Sequence, residues 1–260
     1  MVAERYGDIS VALEGHVALI EVHRPPNNHV NVELIRGLAD ALEAIDGDER
    51  VRASVLATEG KVFCGGADLQ ARGGIGEGNN AMVNPLYTAA VRLFACRKPV
   101  VAAIQGAAVG AGLGLALVAD FRVAAPEARF TANFVKLGFH PGFGLTHTLP
   151  RLIGEQRASL MFQTGRRIKA EEALHWGLVD QVAPPETLRA EALRLAAEIA
   201  ENAPLAVQST RATLRRGIAE AVKAATDREF NEQNWLMKTA DFAEGVRAVS
   251  ERRPGAFSGR

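Results

Sequence analysis

Few bulk signals stand out in this sequence, and their scarcity removes several function classes. It has only two cysteines, Cys64 and Cys96, with no CxxC spacing, so no disulfide framework is expected. Reduced thiols in a cytoplasmic setting are the simple reading. Thirty acidic residues cancel thirty basic ones, so no global field draws the chain toward nucleic acid or an anionic membrane. Any anion must then be held by local groups. The six histidines show no HxxxH or carboxylate spacing, and no metal site is expected. The opening residues MVAERYGDIS lack a basic stretch followed by an apolar run, so no signal peptide is read there.

Long apolar runs are scarce too. Residues 100–119 carry Gln105 as their one strongly polar side chain, a length that matches a membrane span. Four glycines at 106, 110, 112 and 114 interrupt the run, and Lys98-Pro99 precedes it. Its β-branched start, Val100, Val101 and Ile104, followed by a glycine-rich turn, reads instead as buried strand, turn and buried helix. No second apolar segment of that length exists, so no membrane partner is expected.

What is present is a globular composition, 48% hydrophobic and 23% charged, on a chain long enough for one large domain or a core with a small appendage. Ile9 to Val22 reads as a hairpin around Glu14-Gly15. Asn31 is placed to cap a helix whose apolar face is Leu34, Ile35, Leu38, Leu42 and Ile45. Short strands are expected at Ala53–Ala57, Phe121–Ala124 and Arg129–Thr131, and the glycine-rich segment 71–80 is expected to be mobile. From about Glu186 the texture turns helical. Leu188, Leu195 and Ile199 mark one side of an amphipathic helix, and Pro204 separates it from further helix through Trp235. An α/β core over residues 1–198 and a helical region over 199–260 is the expected organisation.

Two glycine-rich turns stand out, FCGGADL (63–69) and GAAVGAGLG (106–114). Each follows a β run and lets backbone approach a ligand closely. Gly110-x-Gly112-x-Gly114 is GxGxG rather than GxGxxG and has no acidic residue about 20 positions on, which argues against a dinucleotide site. No Lys-Ser/Thr ends the turn, so it is not a P-loop. Convergent backbone amides after such turns suit an oxyanion hole, where they stabilise negative charge developing on a carbonyl oxygen.

The blocks FCGGADL, KPVVAAIQGAAVGAGLGLALVADFRVAA, ARF…LGFHPGFGLTHTLPRLIG and TGRRIKAEEALHWGLVDQV resemble, in order and spacing, the enoyl-CoA hydratase/isomerase family, the crotonases. The resemblance runs from about Ile9 to the C-terminus. It implies a ClpP-like α/β spiral of ββα repeats with a C-terminal helical region that assembles a homotrimer or homohexamer. It implies an acyl-CoA substrate, with coenzyme A entering as part of the substrate and no permanently bound cofactor. Carried over by position, the backbone amides of Ala67 and Ala111 become the oxyanion hole. Arg24, Ala67, Asp68, Leu69, Gln70, Gly110, Ala111, Gly114 and Phe134 become the substrate-binding set.

The chain departs from the pattern where the resemblance places two hydratase glutamates. Those positions hold Gly114 and Phe134, and neither side chain moves a proton. The alternative acid slots hold Gly142 and Phe143. Gly114 opposite Phe134 suggests a pocket for a bulky, apolar acyl group. His140 is the first candidate for a replacement base, followed by Glu77 in the glycine-rich segment. His147, His175 and the Cys64 thiol rank lower. The expected function is an acyl-CoA enzyme working through a thioester enolate, as a lyase, an isomerase or a hydrolase. A protein that kept the thioester site for binding or regulation is the rival reading.

Overall fold

In the computed structural model, which describes residues 2–67 and 84–260, the expected hairpin forms. β1 (Arg5–Tyr6), β2 (Ile9–Glu14) and β3 (Val17–Val22) are antiparallel neighbours. Inward residues Ile9, Val11, Ile20 and Val22 are buried, so the period-2 alternation sets which face meets the core. Asn31 caps α1 (Val32–Asp46) through its side-chain oxygen, which accepts from the Leu34 amide at 2.9 Å. The five apolar residues expected on that helix are all buried.

The chain then alternates between two sheets. β4 (Ala53–Thr58), α2 (Pro85–Phe94), β5 (Val100–Ile104), β6 (Ala107–Val109) and α3 (Ala111–Ala116) lead into β7 (Phe121–Ala124) and β8 (Arg129–Thr131). After α4 (Leu145–Ile153), α5 (Glu155–Thr164), β9 (Arg167–Lys169), α6 (Ala170–Trp176) and β10 (Gln181–Val182) the strands end. The large sheet has the order β1-β2-β3-β4-β5-β7-β10, parallel from β3 onward, and the small one is β6-β8-β9. A long strand in one sheet, a short strand in the other and a helix make the repeating unit of the spiral. The run at 100–119 is therefore two strands and a short helix. Among the described residues no helix is long and apolar enough to cross a membrane.

The C-terminal third departs from expectation in detail. α7 (Leu188–Ala200), α8 (Pro204–Leu214), α9 (Ile218–Leu236) and α10 (Ala240–Ser250) follow β10. The expected boundary at 198/199 falls inside α7, which packs across β3, β4, β5 and β7. Its buried stripe is Leu188, Ala192, Ala196 and Ala200, while Leu195 and Ile199 lie at the margin. Alanines every four residues let this helix lie close to the sheet, a stripe that a search for large apolar residues misses. α9 joins the main core as well, with its Val222 and Phe230 buried in it.

Candidate active site

The site grows from one strand register. Cys64 pairs in parallel with Ala108, which pairs with Phe130, which faces Ile168 across β8 and β9. All four are fully buried. The Cys64 amide donates to the Ala107 carbonyl at 3.0 Å, and the Val109 amide donates to the Cys64 carbonyl at 3.0 Å. The two glycine-rich turns thus leave the same sheet side by side. Ala67 and Ala111 each stand three residues past their member of the Cys64–Ala108 pair.

Glycine at 112 is required by this proximity. A Cβ there would lie 2.2 Å from the Cys64 carbonyl oxygen. Gly66, at φ +100°, crosses 2.9 Å from the Val109 carbonyl by the same construction and within 4.0 Å of the Ala111 amide nitrogen. Neither the Ala67 nor the Ala111 amide donates a hydrogen bond to a described residue. For Ala111 the reason is local: it is the first residue of α3, where an amide has no intrahelical acceptor. For Ala67, the local pairing runs through the Val30 amide, which donates to the Gly66 carbonyl at 2.9 Å.

Both alanines line one cavity of about 470 Å³, a volume in the range of small-molecule sites. Its apolar wall includes Val109, Phe134, Leu137, Phe139 and Phe143. Phe134 and Phe139 meet edge to face with ring centroids 5.4 Å apart, and Phe139 repeats that contact with Phe242 at 5.4 Å. Its polar side chains are His29, Tyr87, Asn133 and Arg167.

Gly110, Ala111, Ala67 and Phe134 therefore come together on this wall, while Gly114, His140 and Arg24 are not part of it. Gly114 is absent from this wall. A Cβ there would sit 2.5 Å from the Phe143 ring, so Gly114 is the floor beneath Phe143, and its nearest neighbours all belong to Phe143. Phe134 instead stands against Gly110, 3.5 Å from a Cβ built at that position. His140 also lies off the wall: its Nδ1 pairs with the Pro141 carbonyl at 2.8 Å. Arg24 pairs with Asp8 at 3.4 Å and is likewise outside this cavity. Asp68, Leu69, Gln70 and Glu77 lie outside the described residues. Burial pushes the Cys64 thiol up to about 12, which suits a packing residue and not a nucleophile. His147 sits on α4, where burial and then the nearby Arg151 lower its pKa; His175 is exposed on α6. Among the described residues no group of three metal-ligating side chains clusters.

None of the four polar lining residues, His29, Tyr87, Asn133 and Arg167, was singled out from sequence. His29 reaches the first turn through Nδ1, 3.2 Å from the Gly66 carbonyl. Asn133 stands three residues past Phe130, the same offset as Ala111 from Ala108, a regularity visible only once the pairing is known. Tyr87 carried a usable signal, because a tyrosine on an otherwise apolar helix face needs a partner for its hydroxyl. It has one: Tyr87 donates to Gln233 Oε1 at 2.8 Å. Glu229, one turn before Gln233 on α9, accepts from the Gly144 amide at 2.7 Å and from the Thr146 amide at 2.9 Å. Burial nevertheless raises its carboxyl above the usual range.

Known proteins agree with this architecture. The enoyl-CoA hydratase/isomerase family profile matches residues 12–260. The probable enoyl-CoA hydratase EchA14 of Mycobacterium tuberculosis is 41% identical over 258 residues, covering 95% of this chain and 99% of that protein. The 1,2-epoxyphenylacetyl-CoA isomerase of Escherichia coli is 32% identical over 257 residues, covering 95% and 97%. The crystal structure of an enoyl-CoA hydratase/isomerase from Pseudoalteromonas atlantica superposes with a TM-score of 0.85 at 31% identity, covering 96% and 100%. The chain belongs to the enoyl-CoA hydratase/isomerase family, with its acyl-CoA chemistry and its crotonase fold.

Proposed function

We propose that the protein binds an acyl-CoA thioester with its carbonyl oxygen between the Ala67 and Ala111 amides and stabilises an enolate there. One observation carries this reading: two amides without described acceptors lie on one cavity wall, at equal offsets from the paired Cys64 and Ala108. Negative charge that develops on the oxygen meets donors already in place, and one such donor is worth about 3 kcal/mol of barrier.

The proton chemistry differs from two-glutamate hydration. Gly114 and Phe134 carry no carboxylate, and among the described residues no Asp or Glu lines the cavity. Crotonyl-CoA hydration should therefore be slower than in a two-glutamate hydratase, by about two to four powers of ten per missing group. The aromatic wall favours a bulky, apolar acyl group. A divergent isomerase or hydrolase fits this pocket, and so does a binding protein that has lost turnover. Steady-state kinetics with short, long and aromatic enoyl-CoA esters test the reading. Rapid hydration of any of them would place acid and base elsewhere and overturn the slow-hydratase reading, while absence of acyl-CoA binding would overturn the site itself.

Assembly as a homotrimer or a dimer of trimers in the cytoplasm belongs to the same proposal. The sequence of the helical tail offers Phe230, Trp235, Leu236 and Phe242 as apolar residues for such an interface, and the structure divides them. Phe230 is buried within the protomer, Leu236 packs on its core, and Phe242 packs on Phe139. Leu205, Leu214 and Trp235 are left 79%, 72% and 55% exposed, and these α8 and α9 residues are the apolar surface that assembly would cover. A monomeric mass by light scattering at micromolar concentration would reject it.

A further inference from the structure

Three polar side chains meet at one end of the large sheet, outside the cavity described above. The Ser10 hydroxyl lies 2.8 Å from His23 Nε2, and His23 Nδ1 lies 2.9 Å from Glu59 Oε2. Strand register sets this up. Ser10 on β2 stands opposite Glu21 on β3, so His23, two residues further on, is its diagonal neighbour on the same face. Val22 pairs with Thr58, the last residue of β4, and the Glu59 amide donates to the Val22 carbonyl at 2.9 Å, which brings Glu59 beside His23.

The polarity of the row follows from its acidic end. A carboxylate only accepts, so in the neutral ring Nδ1 carries the proton and Nε2 presents the lone pair. Nε2 then accepts the Ser10 hydroxyl proton, and the row reads nucleophile, base and orienting carboxylate. Burial does not demand this arrangement. The His23 and Glu59 side chains are 29% and 50% exposed, so water can satisfy them, and exposed pairs of this kind add little to stability. Arg5 on β1 is the cross-strand partner of Ser10, which puts a cation on the same face as the hydroxyl. Arg5 is exposed and meets no carboxylate among the described residues. Ser10 and Arg5 line one surface cavity of about 710 Å³ whose other walls include Val2, Val11 and Leu13.

We propose that Ser10, His23 and Glu59 form a second site, one that cleaves activated carboxylic esters such as aryl esters reaching it from solvent. None of the three lines the acyl-CoA cavity, so the inference stands apart from the reading of that site. The Ser10 oxygen bonds to the ester carbonyl carbon while its proton passes to His23 Nε2, and the carbonyl electron pair moves onto oxygen. Arg5 is the nearest cation in register to that developing charge. Collapse breaks the bond to the leaving oxygen, which takes the proton from His23. Water then repeats the sequence on the acyl-serine, releasing the carboxylic acid and restoring Ser10.

Labelling of the full chain with an alkyl fluorophosphonate tests this, since the probe phosphonylates an activated serine hydroxyl with loss of fluoride. Mass spectrometry of a digest should find the adduct on Ser10, and Ser10→Ala should lose it. His23→Gln should slow labelling about 10²- to 10⁴-fold, the size of general-base assistance, and Glu59→Gln should slow it in the same direction. The unmodified protein should also release nitrophenolate from p-nitrophenyl acetate faster than Ser10→Ala does. Adducts confined to other residues would overturn the inference. So would a Ser10 adduct that forms equally fast in His23→Gln, or nitrophenolate release that is unchanged in Ser10→Ala. Should a variant not fold, the unmodified protein decides alone: Ser10 must react faster than the other serines, and equal reactivity overturns the inference.

Discussion

Cys64 and Ala108 face each other as parallel partners, and this single pairing brings two turns more than forty residues apart onto one cavity wall. Three residues beyond each partner stand Ala67 and Ala111, whose amides have no acceptor among the described residues. The register, more than either side chain, makes the candidate oxyanion site.

Backbone donors are tested by removing the hydrogen itself. Ala111 is the first residue of α3, a position where proline is tolerated because the amide is unpaired and φ is already helical. Ala111→Pro should keep the fold by circular dichroism and lower kcat on the best acyl-CoA substrate about 10²- to 10³-fold. Undiminished turnover would remove Ala111 from the oxyanion role.

Gly114 and Phe143 should be energetically coupled. A Cβ at 114 would press on the Phe143 ring at 2.5 Å, and overpacking of this kind costs about 1–3 kcal/mol, offset in part by about 1 kcal/mol of helix propensity. Gly114→Ala should destabilise in urea melts, and Gly114→Ala combined with Phe143→Leu should recover part of the loss. Adding a glutamate at 114 to install hydratase chemistry should fail for the same steric reason. Strictly additive effects in the double-mutant cycle would show that the two residues do not touch.

The two thiols should be silent in the native protein. Cys64 and Cys96 are buried, and burial raises both, Cys64 to about 12. At pH 8 a thiol-reactive dye should label neither within minutes, and both once denaturant is added. Fast native labelling of Cys64 would mean that the first glycine-rich turn opens in solution.

Glu229 should leave a signature in stability against pH. Burial outweighs the hydrogen bonds from Thr146 and Gly144 and holds its carboxyl above the ordinary glutamate value of 4.5. Between 4.5 and the raised value the folded state holds the proton that the unfolded state has released, so this group makes stability fall as pH rises through that window. Glu229→Gln lacks the titration, and the stability difference between the two proteins should shift in favour of the variant as pH climbs. A difference constant from pH 4 to 8 would contradict the assignment.

Much of this was legible along the chain. The hairpin, the Asn31-capped helix and the strands at 121–124 and 129–131 follow from short-range patterns, because period-2 and period-3.6 burial is written in neighbouring residues. The four motif blocks pointed to the family for a similar reason, since close backbone approach demands glycine whatever the rest of the fold does. What the sequence determined by itself was thus the kind of element, the family and the absence of side-chain acids at 114 and 134.

Only the tertiary structure decided which groups meet. Gly114 and Phe134 were paired in sequence reasoning, yet Gly114 lies under Phe143 and Phe134 stands at Gly110, a matter of strand register and helix rotation. Tyr87 reaches Gln233 across 146 residues, and Glu229 reaches Gly144 across 85. No local periodicity encodes such contacts. They exist because α9 packs against α2 and α4, and burying a polar side chain there is tolerable only where a partner from another element awaits it.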